Sequence, residues 1–427
     1  MSSIRAFRGL VPFAVLPLLL SACGDATGPD DHAAIELPRA LTVSEKAVIQ
    51  HGNTFGLELV ARTVARDSRP NVVLSPLSAS MALGMTLNGT AGTTFDAMRD
   101  GLGFQGMTEE EINQAYRGLI DLLTELDPQV RFAIANSVWA NKEFTFHQAF
   151  LDAVRTAFDA EVASRDFESP ATLTEINAWV SKSTEGLIDK ILDGLTPDMA
   201  AILINAIYFD GAWTTRFDPS ETRRQAFQRE DGSIVQVDMM NLKDVKVSIG
   251  RGPGYGALEL PYGGEAYSMV VVVPDQGTDA RALLEGMDAA AWDGIVASLT
   301  PQQMDQVSLP RFTVTWDGYL NDALKGMGMG VAFFPGADFT RMTPDGGSFC
   351  IDYVRQKTYM EVDERGTRAA AVTAVGVRAV SFNGFVVDRP FIVAIRERLS
   401  GTLLFLGLVG DPTLKDSGSD TLVSNCR

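Results

Sequence analysis

Histidine is scarce in this chain of 427 residues: His32, His51 and His147 are the whole supply. A hydrolase built on a nucleophile elbow needs a GxSxG turn with a usable histidine downstream, and no GxSxG occurs. The zinc-protease pattern HExxH is missing as well. An enzyme reading has no constellation to stand on, and no metal or cofactor is expected. Cysteine is equally sparse, at three residues, Cys23, Cys350 and Cys426. Neither Cys350 nor Cys426 lies near a histidine in sequence, which leaves a thiol nucleophile or a metal knuckle without support. Positive charge is short too: 36 basic residues face 54 acidic ones, for a net charge of −18. No basic stripe breaks that balance, which argues against a nucleic-acid partner, an anionic-membrane partner and activation by a polyanion.

Long apolar runs are also lacking. The stretch from Leu10 to Leu20 is too short to span a bilayer as a mature helix, and Pro12 and Pro17 interrupt it. With Arg5 and Arg8 ahead of it, the stretch reads as an export signal over residues 1–22. The ending Leu20-Ser21-Ala22-Cys23 resembles a bacterial lipobox, in which Cys23 is lipidated and becomes the first residue. An ordinary cleaved signal with an incidental cysteine is the other reading. Gly24 follows rather than Asp, so the inner-membrane retention signal is absent. The expected location is outside the cytoplasm, on the outer membrane or cell surface through the lipid, or free in the periplasm or medium. In an oxidising compartment Cys350 and Cys426 form a disulfide on one reading and stay as two free thiols on the other.

What remains is globular: 46% hydrophobic and 21% charged residues. Residues 23–40 are polar and turn-rich, a flexible tether. Folding is expected from Thr42, whose capping box with Glu45 precedes the apolar row Val48, Phe55, Leu59, Val60 and Val64. Val130 to Val138 alternates as a strand does, and Phe146, Phe150, Leu151, Val154 and Phe158 fall on one helical face. A second capping box, Thr172 to Glu175, is read as opening a helix that carries Ile176, Trp179, Val180 and Leu187. Ala201–Phe209 and Ser268–Val273 are nearly all apolar, as strands buried on both faces are. Phe391 to Val409 reads as a hairpin turning at Ser400-Gly401. Residues 413–427 form a polar tail. Composition does not shift from 42 to 412, so one large α+β domain over 41–412 fits better than several small ones. Gly101-Leu102-Gly103-Phe104-Gln105-Gly106 satisfies GxGxxG, but a helical stretch precedes it where a dinucleotide fold needs a strand. Gly326, Gly328 and Gly330 lack the Lys-Ser/Thr of a phosphate loop and mark a turn.

The unusual segment runs from Glu364 to Ser381. It is rich in small residues, carries a β-branched residue every few places and contains no proline. Alanines make a poor strand core, and valine, threonine and glycine make a poor helix. Such a segment is suited to sliding between two existing strands, where bulky side chains would clash. Strand alternation would put Thr367, Ala369, Ala371 and Thr373 on one face, and Arg368, Ala370, Val372 and Ala374 on the other.

Glu364-Arg365-Gly366-Thr367-Arg368-Ala369-Ala370 resembles the hinge of serpins, Glu-x-Gly-Thr-x-Ala-Ala. Asn71-Val72-Val73-Leu74-Ser75-Pro76-Leu77-Ser78 is similar to that family's helix-B entry. Leu203-Ile204-Asn205-Ala206-Ile207-Tyr208-Phe209-Asp210-Gly211-Ala212-Trp213 is similar to its strand-3A signature. Leu258-Glu259-Leu260-Pro261-Tyr262 and Asp388-Arg389-Pro390-Phe391 match too, in the right order. The resemblance covers nearly all of residues 42–412. It implies one serpin-type domain with three β-sheets, eight to nine helices and an exposed reactive-centre loop at about 364–385. It implies a hinge at Glu364, Gly366, Thr367, Ala369, Ala370 and Ala371. Ser75, Ser78, Asn205 and Gln356 would form the shutter and Trp213 the breach.

The activity so implied is suicide inhibition of a serine protease by a monomer. The protease cleaves the loop, and the loop inserts as a new strand before the acyl-enzyme hydrolyses. That is the family's behaviour, not something read from these residues. The family spacing puts the bait bond at Val380-Ser381; counting back from Pro390 gives Ala379, and a further slip gives Arg378. Valine or alanine suits an elastase-like pocket, arginine a trypsin-like one. The alternative is a non-inhibitory serpin acting as a binding or carrier protein. Its usual mark is a hinge spoiled by bulky, charged or proline residues, whereas Ala369-Ala370-Ala371 is clean. Two departures stand out: Gln356 occupies the place of a common histidine, and Arg368 that of a common glutamate. The Gln356 amide is expected to bond Asn205 and the serines.

Overall fold

A computed structural model describes residues 35–366 and 383–419. Outside them lie the export signal, Cys23, Thr367, Ala369, Ala370, Ala371, Arg378, Ala379, Val380, Ser381 and Cys426. The chain opens with helix α1 (Val43–Val64), strand β1 (Asn71–Leu74) and helices α2 (Pro76–Leu87), α3 (Gly92–Gly101) and α4 (Glu109–Thr124). Strand β2 (Val130–Asn141), helix α5 (Gln148–Phe158), strand β3 (Glu161–Arg165), helix α6 (Pro170–Ser183) and strand β4 (Ala201–Gly211) follow. Next come β5 (Arg223–Gln228), β6 (Ile234–Gly252), β7 (Tyr255–Tyr262) and β8 (Tyr267–Pro274), then helices α7 (Ala280–Glu285) and α8 (Ala289–Ser298). Strands β9 (Thr300–Pro310) and β10 (Phe312–Tyr319), helix α9 (Asn321–Leu324) and strand β11 (Arg355–Val362) lead to the hinge. Beyond the loop stand β12 (Gly384–Val386), β13 (Phe391–Glu397), β14 (Leu403–Val409) and β15 (Asp416–Ser419). The described residues thus hold nine α-helices and three sheets, the expected α+β plan.

Local signals explain most boundaries. Thr42 caps α1 through the reciprocal bonds with Glu45. The proposed box at Thr172 is not one. Helix α6 starts two residues earlier, with Pro170 in its first turn and Ser169 at the cap. Thr172 instead donates to Asp166 O at 2.6 Å, and Glu175 pairs with Arg165. Leu187 lies beyond that helix and is exposed. Gly101 closes α3, and Gly103 and Gly106 take positive φ in the turn after it, so no strand leads into that glycine pattern.

Nine strands form one sheet, in the order β1-β14-β13-β8-β7-β6-β9-β12 with β5 also on β6. Every residue of β8, β13 and β14 is buried, which accounts for their unbroken apolar sequences. Two further sheets have three strands each, β3-β2-β4 and β11-β10-β15. In the first, β2 and β4 pair antiparallel from Val130↔Gly211 to Ala140↔Ala201. In the second, β10 and β11 pair from Phe312↔Val362 to Tyr319↔Arg355.

A cleft of about 1270 Å³ lies between the β4 and β11 edges, lined by both strands along their lengths. The cleft corrects one expectation. Strand β4 is not buried on both faces: Ile202 and Ile204 are covered by Trp139, Ile176 and Val180, while Leu203, Asn205, Ile207 and Phe209 are only half-buried. Both ends of the domain reach further than the polar composition suggests. Ile35 and Leu37 pack on the core, Arg39 forks onto Glu45 at 2.7 and 2.5 Å, and β15 joins β10 in parallel.

Candidate functional site

The chain leaves β11 through a tight turn. Asp363 and Gly366 exchange backbone bonds, and Gly366 makes an antiparallel bridge to Ala212, just past β4. Two reversals in succession mean that β4 and β11 run parallel. Gly366, the last residue described before the loop, is bridged to the β4 side at the mouth of the cleft. Gly366 sits at φ +95°, and a Cβ there would lie 2.2 Å from the Trp213 nitrogen. Only glycine tolerates that conformation and that approach.

Trp213 forms the floor of the turn. Its ring stacks on Tyr262 with centroids 4.4 Å apart and meets Phe217 edge-on. Its Nε1 donates to Asp363 O at 3.0 Å, and its amide donates to Arg365 O at 3.0 Å. Phe217 N donates to Glu364 O at 3.1 Å. The Glu364 carboxylate is turned inward, with 4% of the residue exposed. It accepts from the Thr222 hydroxyl at 2.6 Å and from the Arg311 guanidinium. Burial works to raise its pKa, but these two donors outweigh burial and hold the carboxyl below its ordinary value. For Asp363, next to it, burial prevails and the pKa is raised.

Halfway along the cleft, the first turn of α2 touches both lips. Ser75 caps the helix by accepting from Ser78 N, and its hydroxyl donates to Leu404 O at 2.7 Å. On the β11 lip, the Gln356 amide satisfies the whole backbone of Ser75: Oε1 accepts from the Ser75 amide at 3.0 Å and Nε2 donates to its carbonyl at 2.9 Å. On the β4 lip, the Ser78 hydroxyl donates to Asn205 O at 3.3 Å, and Asn205 Nδ2 donates to Asn136 Oδ1 at 2.7 Å. Gln356 therefore reaches one of the expected serines, through the backbone of Ser75, but has no hydrogen bond to Ser78 or Asn205, because Asn205 stands on the opposite lip. Among the described residues, nothing bonds the buried Asn205 Oδ1.

The structure thus gathers Glu364, Gly366 and Trp213 at the mouth, and Ser75, Ser78, Asn205 and Gln356 at the middle. Sequence reading missed Thr222, Arg311, Tyr262 and Asn136. Asn136 carried a signal, since it falls in the buried phase of β2 with Val130, Phe132, Ile134 and Val138. Thr222 and Arg311 carried none, being far from the hinge in sequence.

A cleft between two parallel strands, with a glycine turn bridged across its mouth, is the site this fold provides. The family described as Serpin (serine protease inhibitor) matches residues 50–412, and the chain belongs to that family, whose members are in general protease inhibitors. Neuroserpin of Gallus gallus is 34% identical over 82% of this chain and 88% of its own length. Glia-derived nexin of Mus musculus is 32% identical over 84% and 92%. The thermophilic serpin tengpin, solved in the native state, superposes with a TM-score of 0.78 at 28% identity, over 87% of this chain and 95% of that one. Thyroxine-binding globulin, solved with thyroxine, gives 0.77 at 26% identity, over 86% and 99%.

Two outcomes follow for the site. Gln356→Ala should destabilise the native form by about 1–3 kcal/mol, since the buried Ser75 amide loses its acceptor while the Ser75 carbonyl keeps Ala79 N, and Gln356→His should cost less because a ring nitrogen can serve as that acceptor. Thermal melting checks the order Gln, His, Ala. The ionised Glu364 carboxylate is the clamped form, so its contribution is complete above the ordinary glutamate range near ~4.3 and is lost as pH falls through the lower folded value. Glu364→Gln should therefore lower melting at pH 7 and flatten its decline below about pH 5.

Proposed function

We propose that this chain is an inhibitory serpin that traps serine proteases by loop insertion. The observation that carries the reading is the Gly366–Ala212 bridge beside two parallel strand edges. Continuing that antiparallel register would place Thr367 opposite Gly211, Thr373 opposite Asn205 and Val377 opposite Ala201, the full length of β4. Directly opposed residues share a face, so the Thr373 hydroxyl would meet the Asn205 oxygen that lacks a donor. The sixteen residues 367–382 reach about 50 Å when extended, enough to line the cleft. The protease does its own cutting; this chain contributes a bait bond, for which we favour Val380-Ser381 over Ala379 or Arg378, and an elastase-like target.

Hinge composition supports the same reading. Alanines at 369–371 insert without clashing. The departure at Arg368 also finds an answer, because the register puts it opposite Asp210, which already pairs across the sheet with Arg131. Opposite charges side by side on neighbouring strands assist pairing. Around this domain we place a cleaved export signal and a lipid on Cys23, hence a site outside the cytoplasm. No helix among the described residues is long and apolar enough to cross a membrane. The likeness to thyroxine-binding globulin keeps a carrier role as the second reading.

Incubation with pancreatic elastase or trypsin should give a covalent complex that survives denaturing electrophoresis, with the cut bond identified by mass. Cleavage of the loop should also raise the melting midpoint well above that of the intact chain. Release of active protease together with an unchanged midpoint would refute inhibition and favour the carrier. Arg368→Glu should raise the number of inhibitor molecules consumed per protease by about twofold to fivefold, and Asp210→Asn in that background should recover part of the loss.

A further inference from the structure

Asn241, on β6, is buried at 5% exposure, and its side-chain amide uses all of its hydrogen-bonding capacity. Nδ2 donates to Glu221 O at 2.9 Å and to Met239 O at 3.0 Å. Oδ1 accepts from Ser308 Oγ at 2.7 Å and from Gln306 Nε2 at 2.8 Å. These contacts lead to both described ends of the loop. Glu221 closes a single 3-10 turn, Pro219–Glu221, and the next residue is Thr222, which donates to the Glu364 carboxylate. Ser308 and Gln306 belong to β9, whose other edge carries β12, with Gly384 opposite Gln306 and Val386 opposite Ser308. Three residues beyond Ser308 stands Arg311, the other partner of Glu364. Glu364, Thr222, Glu221, Asn241, Ser308 and Arg311 thus form one closed circuit of hydrogen bonds and short lengths of chain.

We propose that Asn241 is a positioning residue that couples the two ends of the loop, so that releasing Glu364 from its clamp loosens β12 and freeing β12 loosens the clamp. Strand β12 takes its position from β9. It pairs over three residues, Val387 N donates to Ser308 O at 2.9 Å, and Asn383 N donates to Asp305 Oδ2 at 2.7 Å while Asp305 N returns a bond to Asn383 O at 3.0 Å. The Glu364 carboxylate draws Thr222 and Arg311 to one point. When it leaves, the turn before Thr222 and the end of β9 are free to part, and Asn241 is bonded to both. A buried amide with four partners has no slack: letting go of the Glu221 carbonyl would strand a buried N–H, so turn and strand shift together. By reciprocity the same free energy acts in either direction. An asparagine buried for packing alone would stabilise both ends without linking them. The inference does not depend on protease inhibition.

The test is hydrogen–deuterium exchange on the full chain. Glu364→Gln, which weakens the clamp, should speed exchange in residues 384–387 by about threefold to tenfold. Asp305→Ala, which weakens the hold on β12, should speed exchange of the Trp213 and Phe217 amides, the donors to Arg365 O and Glu364 O, by a similar factor. In an Asn241→Leu background both cross-effects should fall below about twofold, while each variant keeps its effect at its own end. Cross-effects missing from the otherwise natural chain, or undiminished by Asn241→Leu, would overturn the proposal. Ser308→Ala removes one of the four bonds and is the second variant should Asn241→Leu fail to fold. It should shrink both cross-effects, and leaving them unchanged would overturn the proposal equally.

Discussion

The edges of β4 and β11 line opposite sides of one cleft and do not pair with each other, and the rest of the molecule is arranged around that fact. Strand edges carry rows of backbone donors and acceptors that a further strand would satisfy, and filling the gap would also cover the half-buried side chains of β4. Both gains are held in reserve by a single glycine turn. Gly366 has entered the register at Ala212, and its neighbours Asp363 and Glu364 are pinned to Trp213, Thr222 and Arg311, so the strand that would follow begins at the mouth.

The two lips are not held alike. On the β11 side Gln356 is tied by two bonds to Ser75, Thr358 donates to Val73 O at 2.5 Å, and Arg355 forks onto Asp317 at 2.8 Å. On the β4 side the ties to α2 are two long bonds, Ser78 Oγ to Asn205 O at 3.3 Å and Asn205 Nδ2 to Met81 Sδ at 3.6 Å. Arg355 also reaches Asp193 at 2.6 Å, and Lys357 reaches Lys190 O. Through these contacts the segment after α6 is bound to the same firm lip.

Much of this was legible beforehand, for local reasons. The Thr42 cap, the buried strands of the large sheet and the hinge wording each depend on residues close together in the chain. The errors were local as well. Thr172 was read as a cap because a threonine three places before a glutamate looks the same one turn inside a helix. Proline at 170 was the stronger signal, since its fixed φ starts a helix without needing a side-chain cap. Strand β4 read as doubly buried because composition cannot distinguish a covered apolar face from one beside a gap.

Sequence alone determined the Thr42 cap, the apolar strands of the large sheet and the glycine at 366. These are properties of short windows, governed by backbone sterics and side-chain size. Only the tertiary structure decided which groups clamp Glu364, that Gln356 serves Ser75 and not Asn205, and that the polar tail returns to β10. Those choices join residues far apart in the chain, and such pairings are set by how whole sheets pack, which no local pattern records.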